Sequence, residues 1–282
     1  MNDKGIYIVI VLYKTKLEES KTIISLQECL VGNISILVFD NSPKSQYESN
    51  NFVFNKFNIL YHHDSTNPGL SGAYNYALFL AKNTKSRWLM LLDQDTIITK
   101  DYINEIENLN FNEISNRVVA IIPTVVSLSH NKIIAPVKVL IGGIFRPVTL
   151  SSGEVKDKIS GINSGTLLRT SYLDSIGGFS KNYTLDMLDH WYFRKIFKDK
   201  KSIYLLRSNI LQNLSIDSGF EENVSFNRYK QMLKAEKLFV QEDGLLSRFV
   251  YKARLIFRLL KQITYRNKDY FKLTLKHVFI TQ

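Results

Sequence analysis

Trp88-Leu89-Met90-Leu91-Leu92-Asp93-Gln94-Asp95-Thr96 is the stretch whose reading decides the fold. Five apolar residues run directly into two carboxylates spaced one residue apart. A short, uniformly apolar run reads as a strand buried on both faces, as in a parallel sheet. If the extension persists to the end, Asp93 and Asp95 share one side and Gln94 faces away, because residues i and i+2 of a strand point the same way. Two ionised carboxylates that close repel each other, so the pair asks for a cation or for hydrogen-bond donors. The carboxyl end of a parallel strand is also where open α/β sheets place ligands. A divalent metal with a phosphate behind it satisfies both conditions. The competing reading is a helix N-cap, with Asp95 or Thr96 starting a helix. The flanking sequence has to decide.

Working outward, Ile6–Leu12 reads as a buried first strand, followed by the polar loop Tyr13-Lys14-Thr15. Leu17–Leu30 has helical spacing. Ile34–Phe39 is a second buried strand, closed by the turn chemistry of Asp40-Asn41-Ser42-Pro43. Residues 44–57 read as irregular, and Asn58–His62 as a short third strand. A turn at Asn67-Pro68-Gly69-Leu70-Ser71-Gly72 leads into a helix over Ala73–Lys82. After the central strand come a helix over Asp101–Leu109 and a β-rich run, Val118–Val126, where Pro123 argues for an edge or an early stop. This β-α-β-β-α-β-α-β order predicts an α/β fold, a mostly parallel sheet with helices on both faces. Beyond it lie a β-rich excursion over residues 127–160, a strand over Ile162–Leu168, and a short helix over Thr170–Ile176 stopped by Gly177-Gly178. A helix over Leu185–Phe197 and a strand over Ser202–Leu206 follow, and the chain is helical and basic from Phe226. The expected organisation is one domain over 1–220 and a helical, basic region over 221–282.

The chain has 282 residues, 45% of them hydrophobic and 22% charged, which suits a sizeable core. Its one cysteine, Cys29, excludes an intramolecular disulfide and fits a reducing compartment. No signal-peptide pattern precedes the first strand, and no run of about 18 apolar residues predicts a spanning helix. The net charge of +11 invites nucleic acid, an anionic membrane or a phosphorylated substrate. Most of the excess lies in residues 247–282, where nine bases face the single acid Asp269.

Several residues are candidates for chemistry. Asp40 ends the second strand as Asp93 ends the central one, so it either reads a ribose or base from the sheet edge or closes an Asx-turn with Asn41-Ser42-Pro43. Asn67, Gly69 and Asn75 belong to a glycine-containing strand-to-helix turn whose backbone N–H groups could approach a phosphate. It is neither a P-loop nor Gly-x-Gly-x-x-Gly. Asp186 and Asp189 lie three apart on the predicted helix. Asp186 fits the helix N-terminus, whereas Asp189, read as deeper in the helix, is a candidate general base. The five histidines show no His-x-x-x-His zinc spacing.

Taken in order, Tyr13, Asp40-Asn41-Ser42, the segment from Asn67 to Asn75, Leu91-Leu92-Asp93-Gln94-Asp95, Asn163-Ser164-Gly165, Gly177-Gly178-Phe179 and Asp186-Met187-Leu188-Asp189 with Arg194 resemble a family 2 glycosyltransferase of GT-A fold. The Asp-Gln-Asp and Asp-x-x-Asp segments are most similar to its rhamnosyltransferase-like branch. The resemblance covers residues 6 to about 220. It implies a Rossmann-like, mostly parallel sheet and inverting transfer from a nucleotide-sugar. Asp95 and Asp93 would hold Mg²⁺ or Mn²⁺, Asp40 would read the base, Tyr13 would line its pocket, and Asn67, Gly69 and Asn75 would contact the nucleotide. Asp189 matches the catalytic base, and Gly165 would let backbone approach the sugar. The implied donor is dTDP-rhamnose, with UDP-galactofuranose, UDP-GlcNAc or UDP-galactose as alternatives. The implied acceptor is a lipid-linked glycan of a bacterial surface polysaccharide of O-antigen or capsule type. A non-catalytic nucleotide- or glycan-binding protein on the same fold is the other reading. One departure stands out: Leu211-Gln212-Asn213-Leu214-Ser215 carries no His where many relatives have a further metal ligand, so Gln212 or Asn213 would have to substitute.

In the tail, Phe249, Ala253, Ile256, Phe257, Leu260 and Ile263 recur at helical spacing with Lys252, Arg254, Arg258 and Lys261 between them. This reads either as an amphipathic helix on anionic lipid or as a helix packed on the core with a solvated basic face. The first reading, with the resemblance, implies a cytoplasmic protein peripheral at the inner face of the membrane and no nucleic-acid partner.

Overall fold

The computed structural model describes residues 4–30, 32, 34–212 and 224–280. The chain divides into two compact units, residues 1–136 with 147–213 and residues 137–146 with 214–282. In chain order the strands are β1 (Ile6–Leu12), β2 (Ile34–Asp40), β3 (Asn51–Phe54), β4 (Phe57–His63), β5 (Trp88–Asp93), β6 (Val118–Ser127), β7 (Ile133–Ala135), β8 (Val137–Leu140), β9 (Ile144–Pro147), β10 (Gly153–Val155), β11 (Ile159–Ser160), β12 (Thr166–Arg169) and β13 (Ser202–Gln212). The helices are α1 (Lys21–Cys29), α2 (Gly69–Asn83), α3 (Lys100–Asn108), α4 (Thr170–Ser175), α5 (Leu188–Lys198), α6 (Phe226–Gln241), α7 (Leu245–Gln262) and α8 (Asp269–Ile280).

The first unit is built on a ten-stranded sheet of order β10-β13-β6-β12-β5-β1-β2-β4-β3, with β7 on β6. The apolar runs of β1, β2 and β5 occupy its parallel centre, with β4 parallel beyond β2. Trp88, Leu89, Met90, Leu91 and Leu92 are each at most 1% exposed, as a strand covered on both faces requires. Register puts Asp93 beside Val11 and Asp40 beside Leu12, so both acids end strands at the same sheet edge.

Three features depart from the sequence reading. Residues 51–54, within the stretch read as irregular, form β3 antiparallel to β4. Their exposed-and-half-buried alternation is that of an edge strand, with little apolar signal to betray it. Pro123 ends nothing: β6 runs through it between β12 and β13. The register of β13 against β6 shifts between Leu205 and Asn209, from a partner at Ile122 to one at Thr124. That irregularity lies opposite the residue with no N–H to give, so the ladder loses nothing there. Finally, β12 enters antiparallel between β5 and β6, which strand order alone does not reveal.

In the second unit, α7 packs through Tyr251, Leu255 and Leu259, all buried. Glu236 on α6 lies at 2.8 and 2.9 Å from the two terminal nitrogens of Arg258 on α7. Burial opposes the carboxylate's charge, but the Arg258 guanidinium outweighs it and holds the group below its ordinary range. Such a pair is costly to break from one side only. The Gly142 N–H donates to Ser247 Oγ at 2.9 Å, and Arg254 donates to the Gly142 and Gly143 carbonyls, tying the β8–β9 turn to α7.

Candidate functional site

β5 ends at Asp93, and Gln94 and Asp95 form a turn instead of continuing the strand. The two acids therefore differ in surroundings: Asp93 is half-buried and Asp95 is exposed. Neighbouring elements clamp the turn. The Asp93 carbonyl accepts from Thr22 Oγ1 on α1, and the Gln94 carbonyl accepts from Ser20 Oγ at 2.9 Å. On the other side Ile97 exchanges backbone hydrogen bonds of 2.8 and 3.0 Å with Leu211 of β13. Thr96 is buried in this joint and caps nothing; the N-cap of α3 is Thr99, which accepts from the Tyr102 N–H at 3.2 Å. The N-cap reading of Asp95 or Thr96 is thus excluded.

Asp93 is held by two donors. Tyr74 Oη on α2 donates to Oδ1 at 3.3 Å, and Ser164 Oγ donates to Oδ2 at 2.5 Å. Ser164 in turn accepts from Thr96 Oγ1 at 2.9 Å, making a buried chain of hydroxyls behind the acid. Burial, and then the charge of Asp95, push the Asp93 carboxyl up to about 6, against the lowering hydrogen bonds from Ser164, Gln212 and Tyr74. A carboxyl raised from 3.8 in the folded protein gives stability that is complete below about pH 4 and lost as pH rises through about 6. In Asp93→Asn this part of the pH dependence is expected to vanish. Thermal melts from pH 4 to 7.5 should show the wild-type midpoint falling more steeply than the variant's; parallel curves would refute the assignment.

Asp95 meets Gln212, the last residue of β13, whose Nε2 donates to Asp95 Oδ1 at 3.1 Å. Gln212 is 7% exposed, and its Oε1 is buried with no hydrogen-bond partner among the described residues. Two carboxylates with an amide against them, whose unpartnered oxygen a flip would present, supply the oxygen donors a hard divalent cation takes. Among the described residues no cluster of three or more His, Cys, Asp or Glu could hold a metal, so any cation here must draw on Gln212 or on solvent. The residues present fit Mg²⁺ or Mn²⁺. Asn213, the other suggested substitute, lies outside the described residues, as do Leu214 and Ser215.

Asp189, the third acid, is carried on α5. That helix starts later than its periodicity suggests: Met187 is its N-cap in the left-handed conformation, φ +66°. Asp186 therefore lies outside the helix, and it is Asp189 that occupies the acidic position of its first turn. Asp189 Oδ1 accepts the His190 N–H at 2.7 Å, and its side chain is 17% exposed. The Tyr74 hydroxyl reports the convergence. Burial raises its pKa well above the usual value, followed by the charge of Asp93, their hydrogen bond, and the charge of Asp189. The phenol thus lies within the fields of both acids. His190, pushed down by burial against the pull of Asp189, has Nδ1 2.7 Å from Ser160 Oγ.

The remaining candidates divide. Tyr13 stands at the crevice: its N–H donates to Gln94 Oε1 at 2.8 Å, and its ring is 43% exposed. Gln94, read as facing away, is thus what ties the β1 loop to the acid turn. Gly69, at φ +74°, opens α2, and a Cβ there would lie 2.3 Å from the Thr184 carbonyl, which accepts the Leu70 N–H at 2.6 Å. Only glycine lets the start of α2 lie so close to the loop that leads to Asp189. Asn67 is exposed with φ +51°, its N–H on the Asp64 carbonyl at 3.1 Å.

Asp40, in contrast, is fully buried. Oδ1 accepts the Ser42 N–H at 2.8 Å, and Oδ2 accepts from Tyr61 Oη at 2.6 Å and Gln46 Nε2 at 2.9 Å. This is the Asx-turn of the competing reading, with both oxygens engaged by the protein. The Asn75 side chain donates to the Phe179 carbonyl at 2.9 Å and accepts its N–H at 2.8 Å, bracketing a loop instead of facing a ligand. A Cβ on Gly165, φ +72°, would meet Ile210 and Pro123 side chains at 2.8 and 3.0 Å, so that glycine serves interior packing. Tyr74, Ser164, Gln94 and Gln46 are the residues that sequence reasoning missed in these roles. Their only signal was adjacency to the motifs.

No protein-family model matches the sequence, and no curated protein matches it. Solved structures do. A crystal structure of GalNAc-T7 with UDP, GalNAc and Mn²⁺ superposes with a TM-score of 0.61 at 11% identity, over 96% of this chain and 54% of that one. The present chain therefore spans about half the length of that relative. The mannosyltransferase PcManGT from Pyrobaculum calidifontis, in complex with GDP-Man and Mn²⁺, matches with a TM-score of 0.50 at 9% identity, over 98% of this chain and 85% of that one. These likenesses show the fold: the first unit is built on a GT-A core, with further helices C-terminal to it.

Proposed function

We propose that the protein is an inverting glycosyltransferase that moves a sugar from a nucleoside-diphosphate donor to a hydroxyl of a glycan acceptor. The observation that carries the reading is the Asp93–Asp95 pair at the carboxyl end of β5, with the Tyr74 hydroxyl bonded to Asp93 and within the field of Asp189 on α5. The fold supports it, as do the nucleotide and Mn²⁺ in both matched structures.

Asp93, Asp95 and Gln212 Oε1 would hold Mg²⁺ or Mn²⁺. When bound, the ion takes up charge that grows on the departing diphosphate. Asp189 accepts the acceptor's hydroxyl proton as that oxygen bonds the anomeric carbon. The bond to the diphosphate breaks on the opposite face, and the configuration inverts. Tyr13 would face the nucleotide, and the glycine-permitted start of α2 would fix the donor side against the loop bearing the base.

Thermal-shift and donor-hydrolysis measurements across dTDP-rhamnose, UDP-galactofuranose, UDP-GlcNAc and UDP-galactose, each with and without Mn²⁺, test the proposal. dTDP-rhamnose is expected to give the largest Mn²⁺-dependent stabilisation, with slow release of free sugar. A shift with a UDP-sugar alone would move the donor and keep the reaction class. No shift and no hydrolysis with any of them would refute the assignment.

A further inference from the structure

The apolar positions singled out by their spacing in the tail are not the ones that pack. In α7 the packing face is Ser247, Tyr251, Leu255, Leu259 and Gln262, all buried. Leu246, Phe249, Ile256, Phe257, Leu260 and Ile263 are instead 52–72% exposed. At about 100° per residue these positions fall within an arc of about 120° on the side opposite the packing face. A helix apolar on both sides, with one side uncovered, needs a partner of its own: scattered exposed apolar residues need no explanation, but a contiguous stripe does.

Charge identifies the partner. No acid occurs between Leu245 and Gln262. Arg254 and Arg258 are used internally, on the Gly142 and Gly143 carbonyls and on Glu236. Arg248 too is turned inward, donating to the Gln241 carbonyl at 3.5 Å, so Lys252 remains along one margin of the stripe and Lys261 along the other. An apolar stripe with cations on both margins and no acids matches a bilayer interface carrying anionic headgroups. It does not match a second copy of itself: a two-fold contact would bring margin against margin, cation against cation, with no carboxylate on the helix to relieve them. No described helix is long and apolar enough to cross a membrane, so the attachment is lateral.

We infer that α7 lies along an anionic lipid surface, with the Phe249–Phe257 stripe in the interface and Lys252 and Lys261 at the headgroups. The inference is independent of the sugar-transfer reading. The full chain is tested by co-sedimentation with phosphatidylglycerol-containing and pure phosphatidylcholine vesicles, with light scattering to follow oligomeric state. Binding to the anionic vesicles is expected to exceed that to the zwitterionic ones at least tenfold and to weaken with salt. Phe249→Ser with Phe257→Ser should lower it more than tenfold, and Lys252→Glu with Lys261→Glu should do so comparably. All four positions lie off the packing face, so unchanged melting curves certify the variants as folded. Absence of binding to anionic vesicles, or equal binding by wild type and the Phe variants, would overturn the inference. So would a dimer lost in the Phe variants with no vesicle binding, which assigns the stripe to a second copy.

Discussion

Asp189→Asn is expected to cut sugar transfer by about 10²- to 10⁴-fold, the range for removal of a positioned general base, while leaving donor binding nearly unchanged. The substitution separates the group's two possible duties. In the first turn of α5 the carboxylate complements the helix N-terminus and accepts the His190 N–H at 2.7 Å, which is a structural role. An asparagine Oδ1 can accept the same hydrogen bond, so that contact in the first turn persists. What an amide cannot do is take a proton from an attacking hydroxyl at neutral pH. Transfer and donor affinity falling together would identify Asp189 as part of the scaffold. Single-turnover transfer, compared with nucleotide titration on the same variant, distinguishes the outcomes. Asp189→Ala should lose stability as well, because it removes the acceptor of the His190 N–H and the first-turn charge.

That Asp189 could be singled out as a candidate in the sequence, and its helix position could not, follows from what each depends on. Acids at particular spacings from a buried strand can be recognised. Where a helix begins depends on the left-handed residue Met187 and on the close approach of Thr184 to Gly69, contacts made over more than a hundred residues. The parallel centre was readable for a similar reason. Strands buried on both faces must be apolar throughout, and β1, β2 and β5 are. Edge strand β3 has no such requirement and went unread. Pro123 was misjudged because the irregularity in β13 that accommodates it comes from a segment eighty residues on. Asp40 shows a further limit: both readings needed an acid at the end of a strand, and its bonds from Tyr61 and Gln46 could not be read from the sequence. In the tail, periodicity found the apolar stripe of α7, but periodicity is blind to whether a stripe faces protein or water.

Asp95→Ala is expected to weaken divalent-metal binding by more than about 100-fold, since loss of an outer-sphere partner alone costs 10- to 100-fold, and with it Mn²⁺-dependent binding of the nucleoside diphosphate. The argument rests on the inequality of the two acids. Asp93 already has Tyr74 on one oxygen and Ser164 on the other, and its raised pKa shows that its charge is poorly accommodated. Asp95 is exposed, so its charge is the more accessible. Gln212 adds the second half of the argument. Its Nε2 donates to Asp95 while Oε1 is buried with no partner among the described residues, an arrangement that costs about 1–3 kcal/mol for the orphaned acceptor. A bound cation would favour the opposite amide orientation, with Oε1 as its ligand. Gln212→Leu, which keeps the bulk and removes the oxygen, should therefore weaken the metal in the same direction as Asp95→Ala but less. Mn²⁺ titrations followed by electron paramagnetic resonance measure this without any turnover. Should Gln212→Leu bind Mn²⁺ as wild type does, water would be the third ligand; should Asp95→Ala do so, the Asp-x-Asp turn would not be a metal site at all.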